Sequence, residues 1–288
     1  MENPGAPIAR AGLHRAPAGR LWMRLWLWGE SAWRDFLYLI LPAECVVCGR
    51  EDQALCPACS AVLRQHTAEP FRAEQRADAL VGVMGRSLLP VVAAGVYRDA
   101  LAETILAFKN HGRTELAAPL SRAMSRAMSA LLDSVDPPTT RMLVVVPVPS
   151  TGSGWRRRGY DPVAMILRAM EHEGRLPAQT AIMPLLGIKA KPPWRRRHQK
   201  GLGRAERRRN VRNTMKIRRR KLRHVWLRAN PDEALVVVVD DVLTTGSTLQ
   251  EAVKTLENTG LSVYAGVVLA AARAPEGGHE LVPRERLE

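Results

Sequence analysis

Cysteine is scarce in this chain of 288 residues: there are four, and all of them lie between residues 45 and 59. Cysteine chemistry is therefore confined to one short segment. Long uncharged apolar runs are also missing. Arg24, Glu30, Arg34 and Asp35 interrupt the Trp-rich stretch 21–41, so we expect neither a bilayer span nor a secretory signal there.

Acidic residues are nearly absent from one segment of the chain. Between Lys189 and Arg228 there are 18 Lys or Arg and one acid, Glu206, and this segment accounts for the net charge of +15. Such a local excess indicates an anionic partner. Three interpretations stay open, namely a solvated face, a loop closing over a pyrophosphate, and a strip that binds single-stranded DNA. The candidate nucleic-acid contacts are Arg195, Arg196, Arg197, Arg207, Arg208 and Arg209.

The most informative stretch of the chain is 236–248. Four consecutive valines, Val236–Val239, predict a strand that is buried on both faces of a parallel sheet. Asp240 and Asp241 follow where this strand should end, and helical spacing resumes at Leu249–Leu256. Between the acids and the helix lies a turn of small, mostly hydroxylated residues: Thr244, Thr245, Gly246, Ser247 and Thr248.

This strand, acidic pair, turn and helix predict a site for a phosphorylated sugar. The hydroxyls and the free N–H groups at the helix start can surround a phosphate, and Gly246 lets the backbone approach it closely. The carboxylates of Asp240 and Asp241 can bind diol hydroxyls or Mg²⁺. No Lys-Ser/Thr pair follows Gly246 and no G-x-G-x-x-G precedes the helix, which excludes a Walker loop and a dinucleotide fingerprint. The alternative is an ordinary buried strand followed by an N-capped helix.

The four cysteines form two C-x₂-C pairs separated by seven residues. Cys45, Cys48, Cys56 and Cys59 can place four thiolates around a tetrahedral Zn²⁺. Two disulfides are the alternative, although nothing in the sequence directs the chain to an oxidising compartment. Such a zinc centre has no open ligand position, so we expect a structural role.

The chain divides into a small N-terminal part and one larger domain. Val91–Tyr97 is predicted as an edge strand, Met142–Val146 as a second buried strand and Val263–Leu269 as the last strand. The loop after Met142–Val146 carries Arg158 and should face the 240–248 loop, although a solvated Arg cluster is the alternative. The predicted order is a disordered tail (1–20), an amphipathic helix that packs on protein or lies at a membrane interface (21–41), a zinc ribbon (42–63), a linker (64–90), the main domain (91–273) and a C-terminal tail (274–288).

The stretch 236–248 resembles the signature with which type I phosphoribosyltransferases bind 5-phosphoribosyl-1-pyrophosphate (PRPP). The chain as a whole resembles the ComF family, competence-associated phosphoribosyltransferase-like proteins that also include a gluconate-utilisation protein. This resemblance runs from about Leu39 to Ala270. It is carried by the four cysteines, Phe108–Gly112, Val146–Pro149, Arg158-Gly159-Tyr160, the spaced set Gln199, Leu202, Arg207, Asn210 and Val211, and Asp240–Gly246.

The resemblance implies a type I phosphoribosyltransferase fold, an open and mostly parallel α/β sheet flanked by helices, behind a four-cysteine zinc ribbon. It also implies that Asp240 and Asp241 hold the ribose hydroxyls and Mg²⁺, that Thr244–Thr248 hold the 5-phosphate, and that Arg158 and Lys109 offset the charge of the pyrophosphate. Two departures are present. Asp161-Pro162 stands where the family more often has Asn-Gln, and the basic insertion around Lys216–Arg228 is longer than usual.

The leading hypothesis is a cytoplasmic protein that binds PRPP and Mg²⁺ and acts in DNA uptake or in handling single-stranded DNA. Proteins of the DNA-uptake machinery are candidate partners, and association with the inner face of the membrane is an additional expectation. Two rival hypotheses remain. One is a salvage-type phosphoribosyltransferase that acts on a free base, and the other is a PRPP-sensing adaptor without turnover.

Overall fold

The computed structural model describes residues 44–82, 86–134, 142–150, 154–155, 158–189, 214–228 and 234–272, without the side chains of Arg76 and of residues 224–228. Several predicted features therefore lie outside the described residues. These are the N-terminal tail and helix (1–41), the C-terminal tail (274–288), and the six arginines Arg195, Arg196, Arg197, Arg207, Arg208 and Arg209.

Eight strands are described. They are β1 (Phe71–Arg72), β2 (Val91–Val96), β3 (Met142–Pro147), β4 (Thr180–Ile182), β5 (Leu186–Ile188), β6 (Met215–Ile217), β7 (Ala234–Leu243) and β8 (Val263–Ala271). Six of them form one sheet in the order β1-β2-β8-β7-β3-β4. Strand β1 is antiparallel to β2, and every other neighbouring pair in this sheet is parallel.

Helices cover both faces of the sheet. The described helices are α1 (Pro57–His66), α2 (Asp99–Asn110), α3 (Ala117–Ser134), α4 (Pro162–His172), α5 (Arg219–Arg228) and α6 (Ser247–Glu257). Side chains from α2, α3 and α4 form one core cluster with Val237 and Val239, and side chains from α6 form the other with Val236 and Val238. Because successive strand residues point to opposite faces, a strand buried on both sides needs unbroken apolar residues, and this explains the four valines. The predicted fold class is confirmed.

The N-terminal part packs directly against the larger domain. Helix α1 packs on helix α2, and the partly buried Val46, Ala54 and Leu55 contact the core cluster that contains helix α2. Arg113 also donates a hydrogen bond of 3.1 Å from Nη2 to the carbonyl of Glu44. The cysteine-bearing segment is therefore docked on the main domain by apolar burial.

Strands β5 and β6 form a separate antiparallel ribbon, extended by a hydrogen bond from Lys189 N–H to Thr214 C=O. This ribbon packs on helix α6, where the buried carboxylate of Glu251 accepts from Met215 N–H at 3.4 Å. Lys189 and Thr214, the described residues on either side of the segment 190–213, are therefore neighbours.

Three expectations from the sequence need revision. Strand β2 lies between β1 and β8, so the prediction of an edge strand at Val91–Tyr97 was wrong. Strand β7 continues through the acids to Leu243 because β8 runs alongside it as far as Ala271. The segment 64–90, which we expected to be a linker, contributes β1 and the buried Leu80 and Leu89 to the main core.

Among the described residues no helix is both long and apolar enough for a membrane crossing.

Candidate functional site

Strands β3 and β7 are neighbours at the centre of the sheet, and we call the region between the loops at their carboxyl ends the crevice. Strand β3 makes its last pairing with β7 at Pro147 and Val239, whereas β7 continues to Leu243. From β3 the chain proceeds to β4 on one side, and from β7 it proceeds to β8 on the other side. The order of strands therefore reverses between β3 and β7, which is where open α/β sheets bind their ligands.

The 244–248 loop connects β7 to helix α6. Gly246 has a φ of +76° and stands at the N-cap position, and no side chain caps the helix. Among the described atoms, the N–H groups of Thr244, Gly246 and Thr248 have no hydrogen-bond partner, while Ser247 N–H reaches the Thr245 hydroxyl only at 3.5 Å. The donors at the start of helix α6 are thus free to bind an anion.

Segment 77–80 covers one side of this loop. Ala79 N–H donates to Thr245 C=O at 2.9 Å, and the buried side chain of Leu80 lies against Gly246. A Cβ atom on Gly246 would come within 2.6 Å of Leu80 Cγ and 3.0 Å of Ala77 Cβ. Glycine is therefore required here both by its conformation and by the space available.

The two acids differ in their surroundings. Asp241 is buried, and Lys109 Nζ lies 2.9 Å from its Oδ1 and 2.7 Å from its Oδ2. Asp240 is half-buried and accepts a hydrogen bond from the N–H of Asp241 at 2.8 Å. Burial, together with the neighbouring Asp241 carboxylate, raises the pKa of Asp240 to about 8. Two oxygen-donor side chains with one uncompensated acid fit a hard divalent cation such as Mg²⁺.

Arg158 and Tyr160 contact the end of helix α2. Arg158 Nη1 donates to the carbonyl of Lys109 at 3.3 Å, and the Tyr160 hydroxyl donates to the carbonyl of Phe108. The rings of Phe108 and Tyr160 lie 5.7 Å apart, centroid to centroid. The structure thus joins Lys109 to Asp241, 132 residues further along the chain, and places Arg158 at the backbone of Lys109.

Asp161 was not among the predicted site residues. Its Oδ1 accepts from Ala164 N–H at 3.1 Å and caps helix α4, while its Oδ2 accepts from Ser150 N–H at 2.8 Å. One carboxylate therefore joins the two ends of the loop that follows β3. An Asp-Pro pair ahead of an apolar helix is a recognisable N-cap signal, but the bond to Ser150 has no signature in the sequence.

The four cysteines lie together. Their Sγ atoms are all within 4.8 Å of one another, and those of Cys48 and Cys56 are 3.7 Å apart. A tetrahedral ion with bonds of about 2.3 Å sets neighbouring sulfurs about 3.8 Å apart, so the arrangement fits a metal such as Zn²⁺. Burial would raise the pKa of Cys45, but N–H groups of Cys56, Cys48 and Val47 lower it to about 6, which favours the thiolate.

A groove of about 770 Å³ runs along the outer face of helix α6. It starts at Ser247 and is bordered by the exposed Leu88, but it does not include Asp240 or Asp241. The candidate ligand site is therefore identified by strand order and by its polar groups, and its two acids do not line this groove.

Comparison with known families gives a partial match. Residues 201–281 match the family model described as the phosphoribosyl transferase domain. A comparison with curated proteins found no match. The matched residues include β7, the 244–248 loop and helix α6, which form one wall of the crevice. Residues 201–281 of this α/β protein with a four-cysteine cluster are therefore similar to the phosphoribosyl transferase domain.

Proposed function

We propose that this protein binds PRPP together with Mg²⁺ in the crevice between β3 and β7. The observation that carries the proposal is the start of helix α6. Its uncapped N–H groups, the αL glycine Gly246 and four hydroxyls lie next to two carboxylates at the end of β7. An anion site adjoining a pair of acids matches a sugar that carries both a phosphate and a diol.

Each part of PRPP has a complementary group in this arrangement. The 5-phosphate would bind the N–H groups and hydroxyls of Thr244, Thr245, Gly246, Ser247 and Thr248. The ribose hydroxyls would bind Asp240 and Asp241, and the same carboxylates would hold Mg²⁺ through oxygen or water. The pyrophosphate would lie toward Lys109 and the 147–150 backbone, which leads from β3.

The reaction that suits this site is displacement at the anomeric carbon of the ribose. The bond from this carbon to the pyrophosphate oxygen breaks, the electron pair leaves with pyrophosphate, and an acceptor nucleophile forms the new bond. Lys109 would stabilise the negative charge that develops on the leaving oxygen. Bound Mg²⁺ would supply further neutralisation of the pyrophosphate. No covalent intermediate with the protein is needed.

Lys109 has to leave Asp241 before it can act in this way. Its ammonium group contacts both oxygens of that carboxylate. A ribose diol and a divalent cation would compete for the same oxygens, and the pyrophosphate would offer Lys109 a new anion. Exchange of partners by one lysine therefore couples the binding of the sugar to the binding of the leaving group.

We further propose a ComF-type role in which single-stranded DNA is a partner. The described part of the basic segment supports this proposal, because residues 214–223 contain six Lys or Arg and no acid. The half-buried Leu222 packs against the core, whereas its cationic neighbours are exposed. The exposed cations there are Lys216, Arg218, Arg219, Arg220, Lys221 and Arg223. Arg195–Arg197 and Arg207–Arg209 are further candidate contacts for the same partner.

Calorimetry with PRPP and Mg²⁺ tests the site directly, with and without single-stranded DNA. We expect PRPP binding that requires Mg²⁺ and a DNA affinity that falls steeply with salt. Consumption of PRPP with one particular base, independent of DNA, would instead favour the salvage-type enzyme. PRPP binding without consumption of any acceptor would favour the sensing adaptor. No binding of PRPP to the metal-loaded protein would overturn the proposal.

A further inference from the structure

We infer that Arg158 and Tyr160 are positioning residues, which fix the end of helix α2 and thereby hold the Lys109 ammonium group at Asp241. The inference rests on the proposed function for its catalytic meaning, although its geometry can be tested without any ligand. On this inference Arg158 positions Lys109 and does not itself contact the pyrophosphate.

The last turn of helix α2 is capped from another part of the chain. An α-helix leaves its last carbonyls without partners inside the helix. Ala107 C=O accepts from His111 N–H at 3.0 Å, but the next two carbonyls accept from side chains of the loop after β3. Phe108 C=O accepts from Tyr160, and Lys109 C=O accepts from Arg158. The residue that carries the ammonium group is thus fixed at its own backbone.

Arg158 uses its guanidinium group to hold a carbonyl of helix α2. Its Nε atom is buried and has no hydrogen-bond partner among the described residues. Its Nη1 atom is engaged by Lys109 C=O, at the negative end of the helix dipole. A guanidinium group that donates to one of the last carbonyls of a helix stabilises that terminus.

Tyr160 donates a second hydrogen bond to the end of helix α2. Gly159, with a φ of +77°, turns the chain between Arg158 and Tyr160. These two residues can therefore reach neighbouring carbonyls of helix α2. Burial raises the pKa of the Tyr160 hydroxyl, so it stays a donor at neutral pH. The ring of Tyr160 packs at a tilt of 51° on Phe108, which anchors the hydroxyl.

These contacts link the two loops of the crevice. Asp161, next to Tyr160, accepts from Ser150 in the loop after β3, and Lys109 pairs with Asp241 near the end of β7. Tyr160 contacts Phe108, the neighbour of Lys109, so these contacts connect the loop after β3 to β7 through the end of helix α2. A shift of the loop after β3 would move Lys109.

Reductive methylation of the ligand-free protein, followed by mass spectrometry, tests this positioning. Lys109 is held by an ion pair and should react slowly, whereas the exposed Lys254 serves as the internal standard. Tyr160→Phe removes only the hydroxyl and keeps the ring. We expect it to raise the methylation rate of Lys109 by about 3-fold, as the loss of one hydrogen bond allows. Tyr264→Phe, a half-buried tyrosine packed on the same core cluster, is the matched control and should leave the rate unchanged.

PRPP affinity provides the second measurement. Tyr160→Phe should weaken binding about 2- to 10-fold in the wild-type background. In a Lys109→Met background the same change should have an effect below about 1.5-fold, because a residue that acts through Lys109 has nothing left to position. Arg158→Met should behave in the same way, and it decides the question if Tyr160→Phe does not fold.

The outcomes separate the two proposals. If the wild type does not bind PRPP, the proposed function fails, while the methylation rates still test the positioning. If Lys109 reacts at the wild-type rate in both Tyr160→Phe and Arg158→Met, the positioning inference is overturned. It is also overturned if either variant weakens PRPP binding equally with and without Lys109, since that result would indicate direct contact.

Discussion

Lys109 and Asp241 form an ion pair across the candidate site, although 132 residues separate them in the chain. The ammonium group contacts both carboxylate oxygens, at 2.9 Å and 2.7 Å, and thereby joins the last turn of helix α2 to strand β7. Among the residues that the structure describes, no Lys or Arg forms such a pair with Asp240, the neighbouring acid. The two adjacent carboxylates therefore differ in their charge environment, because Lys109 forms its ion pair with Asp241.

Lys109→Ala should weaken the binding of PRPP much more than it lowers the stability of the protein. The Lys109 side chain is 35 % exposed, and partly exposed ion pairs contribute about 1 kcal/mol or less to the free energy of unfolding. The affinity for PRPP should fall by about 10-fold or more, since a charged hydrogen bond to the ligand is lost. Thermal unfolding and calorimetry measure the two quantities. Arg98→Ala, which removes an exposed cation paired with Asp99, is the control and should affect neither.

Asp240→Asn should stabilise the ligand-free protein in a pH-dependent manner. Burial and the Asp241 carboxylate raise the pKa of Asp240 to about 8, whereas an unfolded Asp titrates near 3.9. Between these values the folded state binds more protons, so the free energy of unfolding falls as pH rises. The Tm advantage of Asp240→Asn, measured without Mg²⁺, should grow from about pH 5 to about pH 8. The exposed Asp133→Asn is the control, and an equal trend in both variants would contradict the prediction.

Gly246→Ala should be much more harmful than Gly174→Ala. Both glycines have positive φ, at +76° and +63°, so alanine costs about 1–2 kcal/mol at either position. Only at Gly246 would the new Cβ meet buried side chains, with Leu80 Cγ at 2.6 Å, and overpacking adds about 1–3 kcal/mol. Urea unfolding should show this difference, and PRPP binding should be lost only in Gly246→Ala. Equal destabilisation of the two variants would show that segment 77–80 does not cover the loop.

Metal removal should unfold the cysteine-bearing segment (residues 44–67) and lower the Tm of the whole protein. The thiols of Cys45, Cys48, Cys56 and Cys59 lie close enough to share one ion, and the segment around them packs on helix α2. We expect about one Zn²⁺ per chain by elemental analysis, and none in Cys56→Ser. A chelator should make residues 44–67 sensitive to proteolysis. A metal-free protein whose mass shows two disulfides would contradict this prediction.

Asp161→Ala should cost more than the loss of an ordinary helix cap. Removal of an Asp N-cap destabilises by about 1 kcal/mol, and here the Ser150 N–H loses its acceptor as well. Asp161→Asn has a single acceptor oxygen, so it can keep only one of the two hydrogen bonds and should retain only part of the stability that Asp161→Ala loses. Chemical denaturation of the two variants gives the comparison. Equal losses would contradict the prediction, because they would mean that the retained hydrogen bond contributes nothing.

Much of the fold follows from local sequence patterns. Val236–Val239 indicated a strand buried on both faces, and the sheet buries both faces of β7 as expected. The two C-x₂-C pairs indicated a metal cluster, and their thiols converge. The roles of Asp240, Asp241 and the 244–248 loop in binding PRPP stay predictions until a ligand is measured.

Element boundaries and lateral order were harder to predict. Strand β7 extends past Asp240 because β8 supplies partners up to Leu243, and the sequence of β7 alone does not reveal this. Strand β2 is internal because the short β1 pairs along its outer side. Both errors arise because a strand is completed by its neighbours, which lie elsewhere in the chain.

The sequence by itself determined which groups are available: four thiolates, two adjacent acids, and a glycine-centred turn ahead of a helix. Each of these patterns lies within a few residues, where spacing alone sets the geometry. Only the tertiary structure decided that β3 lies beside β7, that Lys109 pairs with Asp241, and that Arg158 and Tyr160 hold the end of helix α2. These relationships depend on which strands and helices pack together, and that choice is made by the burial of the whole core.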